Sequence, residues 1–544
     1  MKKKKIIELI FFIFLFIFSW WLIWHTFYYH NNTFYISTHI WGDFADHIPL
    51  IRSFSIGNNW PPQSPLFPGQ SIHYHYLLFL FEAFLESIGI RIDWAINLPG
   101  VLSMFFLLLA IYKLSLLLFK DRRVSFLSVI FFVFNGSWSF LEFFKKNPLS
   151  SNTLKNIVSA AFFPAVGPWD GSIVALFWNL DAYINQRHLV AALAISLWLL
   201  YLLLKIKKTW TPLEKFTAIL LIGTGAGILS LTNLGIFGVT VLWLAWFFLI
   251  DPKLRKYIFF AGLFSLPWLI LEHTTVGLSS NIKYNPGFLV SSNLTLFTFV
   301  RFWLYNFGLH IILIPLGFIL ADTKTKKLFL PLFLIFLFSN IFQFAPLMVD
   351  NHQFFNFFLV VGTMFSAFAV ICIWKKIKLA TIPLIILLTF SGFIEIFPII
   401  NGDVLRVADF PINPDVQFFM KNIPTNSITL NSTFWYHPAS IVGRKIFYGP
   451  PTYGWARGYA MAGREKTVKQ IYGASTKLEA CRLLEKYHIT YVELQNDHEA
   501  FIQPNWQLWN NEFYPIYQNL YSSLRIYDVA KSCLTVTGNK NFIN

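Results

Sequence analysis

The chain has 544 residues, 56% of them hydrophobic and 19% aromatic, with only 13% charged. Water-soluble proteins carry about a quarter charged residues, so this balance excludes a soluble enzyme and implies a polytopic membrane protein. The net charge of +16 would suggest nucleic acid in a soluble chain. Here Lys and Arg gather at the ends of apolar runs, where membrane orientation accounts for them, and nucleic acid is set aside as a partner.

The N-terminus, MKKKK followed by IIELIFFIFLFIFSWWLIW, reads as an uncleaved signal anchor, because the apolar run is too long for a signal peptide and lacks a small-residue cleavage site. Apolar runs near the length that crosses ~30 Å of hydrocarbon predict about eleven spans. They fall at 6–24, 96–119, 124–141, 188–206, 212–229, 232–250, 256–272, 302–320, 328–345, 354–374 and 379–399. The join at Leu229–Leu234 requires a tight turn. The clusters Lys2–Lys5, Lys120–Arg123, Lys205–Lys208, Lys253–Lys256, Lys324–Lys327 and Lys375–Lys378 all fall on one side of this threading. The positive-inside rule makes that side cytoplasmic, with the N-terminus inside and the C-terminus outside.

The outer side then receives a first loop (25–95), two further loops (142–187 and 273–300) and a tail (401–544). In the first loop the spacing predicts a helix over Asp43–Phe54, and Tyr76–Ile90 reads as an amphipathic helix lying on the membrane surface. In the tail, Ile428–Leu430, Lys445–Tyr448, Ile489–Glu493 and Leu524–Val529 read as strands, and Lys466–Tyr472 and Lys477–Tyr487 as helices. The expected organisation is a membrane domain over 1–400 followed by a small α/β domain over 401–544. The three cysteines show no zinc pattern. Cys372 lies in an apolar run. Cys481 and Cys533 lie in the tail and could form one disulfide, which their spacing does not argue for.

Charged residues are nearly absent from the middles of the spans, where only His310 sits. Ion-coupled transporters keep ionisable groups there. Polarity gathers instead at the outer surface, a pattern that suits an enzyme acting on a lipid head group. Asp43, Asp46 and His47 share one face of the expected helix, with Arg52 beyond them. A carboxylate here can act as general base, or the pair can hold a divalent metal, Mg or Mn; a helix-capping aspartate is the plainer alternative. His73 and His75 in His–Tyr–His–Tyr are either ligands for metal or phosphate or members of an interfacial aromatic belt. Gln186–Arg187–His188 and Asp350–Asn351–His352 sit at outer span mouths, where Arg can fork onto phosphate or merely snorkel. In the tail, the Gly- and aromatic-rich stretch around Arg457 can hold a sugar and a phosphate, or simply fix its own turns.

This layout resembles the GT-C superfamily of membrane glycosyltransferases: an acidic motif (Gly42–Asp43, Asp46–His47) just after the first span, polar motifs at outer span mouths, and a soluble outer domain. The tail, through Gly443–Arg444, Gly454–Trp455, Arg457–Gly458, Arg464, Ile471–Tyr472, Leu484, Lys486–Tyr487 and Tyr491–Val492, is similar to a prokaryotic membrane-protein family named for a triple-tyrosine motif. The resemblance implies an α-helical GT-C-like membrane protein with an extracytoplasmic α/β domain, and the residue usage, rich in Phe, Ile, Lys and Asn, suggests an AT-rich bacterial genome and hence a bacterial plasma membrane. It implies transfer of a sugar, with inversion, from a polyprenyl-phosphate donor to a lipid, glycan or protein acceptor on the outer face. It assigns Asp43 as catalytic base and Asp46 as second candidate, although no DxD or Asp–Glu pair stands at that place. Arg187, His188 and His352 would bind the lipid phosphate, and His47, Arg52, His73, His75, Gln186, Asp350 and Arg457 are further candidates for substrate contact. A lipid-linked sugar flippase and a non-catalytic envelope assembly protein are the competing expectations.

Overall fold

The computed structural model describes residues 2–164, 173–207, 209–276, 282–290, 293–495 and 501–537. The apolar runs fold as helices, since in hydrocarbon every backbone N–H and C=O must be bonded within its own segment. Seven helices are long and apolar enough to cross a membrane: Lys5–Thr26, Ile92–Phe119, Arg187–Lys205, Pro212–Thr232, Arg255–Thr275, Met348–Lys376 and Thr381–Asn401. Two further runs are broken, Arg122–Phe134 with Ser139–Lys146 bent by 44° and Leu296–Phe307 with His310–Leu320 bent by 89°. The chain is thus an integral membrane protein with seven to nine candidate spans among the described residues, not eleven.

The two missing spans have local causes. Leu234–Ile250 has 17 residues, about 25 Å of helix at ~1.5 Å per residue. Asn233 starts it by accepting from the Ile236 N–H, and the same residue ends Pro212–Thr232, so the tight turn at Leu229–Leu234 is a single asparagine. Run 328–345 begins in the last turn of the helix Thr323–Phe329, restarts at a proline as Pro331–Ile341 and gives way to the extended pair Phe342–Gln343.

The first part of the chain forms four helices: α1 (Lys2–Thr26), α2 (Trp41–Ser55), α3 (Leu77–Ser87) and α4 (Ile92–Phe119). Thus α2 and α3 appear where the spacing predicts them. Glu8 of α1 accepts hydrogen bonds from Tyr112 of α4 and from Arg122, both at 2.7 Å, so the lysine-rich N-terminus and the Lys120–Arg123 turn share one end of the bundle. The other end carries the strands. In chain order they are β1 (Phe27–His30), β2 (Thr33–Ser37), β3 (Lys283–Tyr284), β4 (Phe342–Gln343), β5 (Val404–Ala408), β6 (Ile428–Leu430), β7 (Lys445–Ile446), β8 (Tyr491–Leu494), β9 (Tyr517–Gln518) and β10 (Arg525–Asp528).

The tail contains a five-stranded mixed sheet in the order β7-β6-β8-β10-β9, with helices Met461–Tyr472 and Lys477–Lys486. Each strand and helix expected there is present. A disulfide joins Cys481 to Cys533, with Cα atoms 5.6 Å apart. Unforeseen is the way the tail is bound to the first loop. β5 pairs antiparallel with β2, placing Phe34 opposite Val407, and β1 completes the sheet. Arg52 of α2, buried, reaches Asp409 at 3.1 Å and Glu86 of α3 at 2.7 Å. Gly443 (φ +70°) lies so close to α2 that a Cβ would stand 2.2 Å from the Arg52 carbonyl oxygen. Backbone meets backbone there, which only glycine permits.

Candidate functional site

Helical spacing sets the floor of the site. Asp43, Asp46 and His47 lie three and four residues apart on α2, and all three line one cavity of about 240 Å³. The Pro451–Ala456 helix of the tail closes over them. Its Tyr453 donates from its hydroxyl to Asp43 Oδ1 at 2.9 Å, and the next residue after the helix, Arg457, forks onto Asp46 with N–O distances of 2.8 and 2.5 Å. A Cβ on Gly42 would stand 2.8 Å from the Tyr453 hydroxyl, so the glycine before Asp43 makes room for that bond.

The His73–Tyr76 segment forms a side wall. The His73 ring stacks on Tyr459 at 4.4 Å and its Nδ1 lies 3.1 Å from the Arg457 carbonyl. Tyr74 lies under the Arg457 guanidinium, 4.0 Å from carbon to ring centre, and its hydroxyl is 3.2 Å from His188 Nε2. His75 packs on His188 with ring centres 4.1 Å apart, and His47 meets the same ring edge-on at 5.9 Å. The far wall is the turn before the Met348–Lys376 span. Asn351 fixes that turn by donating to the Ser339 and Phe342 carbonyls, which leaves Asp350 facing the cavity. His352 Nε2 lies 2.9 Å from the Gln186 side-chain amide and its Nδ1 3.0 Å from the Val349 carbonyl.

Ten of the twelve candidates therefore meet in one cavity: Asp43, Asp46, His47, His73, His75, Gln186, His188, Asp350, His352 and Arg457. Two do not. Arg52 is consumed by its buried pairs with Glu86 and Asp409. Arg187 points into the bundle, donates to Asn97 Oδ1 at 2.7 Å and lies 5.0 Å from the centre of the Phe44 ring. Neighbouring helical residues differ by about 100° in direction, so when His188 faces the cavity Arg187 cannot. The cavity's guanidinium is Arg457 instead. Gln353, which follows His352 in the same polar turn, also lines the cavity, and reasoning from sequence passed over Tyr453, Ser230 and Glu272, which line the same space. Only Tyr453 carried a signal, as part of the Gly449–Gly458 stretch.

The electrostatics separate the two aspartates. Burial pushes the Asp43 pKa up to about 6; the Tyr453 hydrogen bond opposes this and the neighbouring Asp46 adds to it. At neutral pH Asp43 is an ionised base of raised strength, the condition for general-base work. Burial holds His47 and His75 well below the ordinary imidazole value, helped by Arg457 and by neighbouring imidazoles, so both are neutral donors and acceptors. The residues do not fit a divalent cation: Asp46 spends both oxygens on Arg457, and among the described residues no three His, Cys, Asp or Glu converge as ligands.

An apolar groove of about 710 Å³ lies beside the cavity, between Leu234–Ile250 and Pro331–Ile341, lined by Gly238, Val239, Leu242, Ile335, Phe338 and Phe354 among others. Leu234, Gly235, Phe344, Ala345, Asp350 and Gln353 border both spaces. The helices Leu234–Ile250 and Pro331–Ile341 are the groove's walls.

The fold resembles solved membrane glycosyltransferases. ArnT from Cupriavidus metallidurans bound to undecaprenyl phosphate aligns with a TM-score of 0.50 at 9% identity, over 96% of this chain and 98% of that one. The apo structure of the same enzyme gives 0.50 at 8% identity, over 96% and 98%. The Archaeoglobus fulgidus oligosaccharyltransferase, in complex with Zn and sulfate, gives 0.49 at 12% identity, over 89% of this chain and 67% of that one. No protein-family model and no curated protein sequence matches the chain. The architecture is GT-C-like: a helical membrane part and a C-terminal mixed sheet.

Proposed function

We propose that this GT-C-like chain transfers a sugar from a polyprenyl phosphate to an acceptor, with Asp43 as base. The observation that carries the reading is that the polar cavity and the apolar groove lie side by side, sharing Asp350 and Gln353 in their lining, while Asp43 lines the same cavity from α2. A long apolar tail needs a groove between membrane helices; its phosphate needs donors where the groove meets water. The fold's likeness to an enzyme solved with undecaprenyl phosphate supports the same ligand here.

In the proposed step the acceptor hydroxyl gives its proton to the Asp43 carboxylate as its oxygen bonds to the anomeric carbon. The bond from that carbon to the phosphate oxygen breaks on the opposite face, and the lipid phosphate leaves. Inversion follows from that geometry. Arg457, His188 and His352 supply charge and hydrogen bonds to the departing phosphate, replacing the expected role of Arg187. Asp46 holds the Arg457 fork in place.

The same reading puts the tail (401–544) outside the membrane as a separate unit covering the site. The shared end of the lysine-rich N-terminus and Lys120–Arg123 supports a cytoplasmic placement of the opposite face. The Cys481–Cys533 disulfide suits an oxidising compartment.

The test uses Gly238, which lines the groove and where an added Cβ would meet nothing within 4 Å, so a side chain there starts into open space. Wild type should bind undecaprenyl phosphate in native mass spectra and Gly238→Trp should lose that binding while keeping its melting temperature. Equal binding by both proteins would remove the groove from the account.

A further inference from the structure

Two tryptophans continue outward from Tyr453, the residue bonded to Asp43, and take no part in the transfer step or in lipid binding. Trp41, two residues before Asp43, sits 4.9 Å from Trp435 between ring centres. Trp435 meets Tyr453 edge-on at 6.0 Å, and Tyr453 is the residue bonded to Asp43. Neither tryptophan lines the cavity or the apolar groove. Trp41 is 39% exposed and Trp435 37%, while Trp455, two residues beyond Tyr453, is 53% exposed.

The row is also held in place. The Tyr436 hydroxyl donates to the Trp41 carbonyl, tying the tail's turn to the first residue of α2. Ile40 and Phe44, on either side of Trp41, are buried and hold the start of α2 in the core. Both tryptophans still keep more than a third of their surface exposed. Large, rigid rings give contact area at little entropic cost, and their π faces are electron-rich. The C–H face of a pyranose carries the complementary partial positive charge. A sugar lying on this row brings its hydroxyl edge to Tyr453 and Asp43.

We propose that Trp41, Trp435 and Tyr453 form a saccharide subsite, so that the acceptor is a glycan or a molecule headed by one. This rests on the glycosyltransferase reading for the role of Asp43, but saccharide binding is measurable without turnover. The site is built from two distant parts of the chain, α2 and the tail, so it exists only when the tail is seated.

The test uses full-length protein in lipid nanodiscs free of glycoside detergent, titrated with chitotetraose, mannotetraose and maltotetraose and followed by saturation-transfer NMR and calorimetry. Wild type should bind at least one of them. Trp41→Ala and Trp435→Ala should each weaken that binding by about tenfold, equivalent to ~1.4 kcal/mol. Trp435→Phe, which keeps a ring and guards against a folding defect, should retain most of it. Undecaprenyl phosphate binding should be unchanged in all three variants. Failure of wild type to bind any of the saccharides, or equal binding by the alanine variants, overturns the subsite. Saccharide binding without undecaprenyl phosphate binding would instead sink the donor reading and leave this one standing.

Discussion

Replacing Tyr453 by Phe removes one hydroxyl and keeps the ring. In the wild type that hydroxyl donates to Asp43 at 2.9 Å and opposes the upward push of burial, leaving a pKa of about 6. Hydrogen bonds to charged groups are worth roughly 1.5–3 kcal/mol. Asp43 is half-buried on a cavity wall, so water recovers part of the loss and the lower end applies. At 1.36 kcal/mol per unit, the Asp43 pKa rises by about one unit, to near 7. The sign comes from the role: a base works ionised, so activity rises with pH through the pKa. Wild type should climb from roughly a tenth of its plateau at pH 5 to nine tenths at pH 7. Tyr453→Phe should reach only about half of its plateau at pH 7 and recover by pH 8. The assay is release of polyprenyl phosphate from a lipid-linked sugar, measured from pH 4.5 to 9. An acid limb that stays at about 6 in the variant refutes the link between Tyr453 and the base. An alkaline plateau well below wild type would show that the hydroxyl contacts substrate instead.

The same geometry sets four further outcomes. Arg457→Lys should lose at least 100-fold in release, about 3 kcal/mol, because an ammonium cannot reproduce the two-point fork on Asp46; near-normal release would make Arg457 dispensable. Arg187→Met should leave undecaprenyl phosphate affinity unchanged but lower the melting temperature, since its guanidinium serves Asn97 inside the bundle; a selective loss of lipid binding would restore it to the site. Gly443→Ala should destabilise the protein by about 1–3 kcal/mol, because its Cβ would meet the Arg52 carbonyl at 2.2 Å; an unchanged melting temperature would mean that the tail does not press on α2. Paired Cys481→Ser and Cys533→Ser changes free a loop with a sequence separation of 52 and should cost about 4 kcal/mol on loop entropy; the check is denaturant unfolding of the whole protein in micelles.

Much of the site could be read because helix periodicity is local. Asp43, Asp46 and His47 share a face on any helix that starts near Trp41, and the structure has that helix. The partners of those residues could not be read. Asp46 and Arg457 are 411 positions apart, and no pattern in either segment points to the other. Arg187 and His188 show the limit from the other side: adjacent residues at one span mouth, only one of which can face the cavity. Hydropathy also counts apolar length rather than helix. The run at 302–320 passes through Gly308, where the helix turns by 89°, and the run at 328–345 contains a helix of 11 residues. The strand β5 escaped notice because its partner, β2, lies in the first loop, far away in sequence.

The most direct test of the central claim is discharge of an undecaprenyl-phosphate-linked sugar by purified wild type and by Asp43→Asn, run side by side across a panel of sugars and acceptors. The account predicts that wild type releases undecaprenyl phosphate, with the sugar inverted on the acceptor, while Asp43→Asn binds the same donor and releases none. Release at the same rate by both proteins would contradict it.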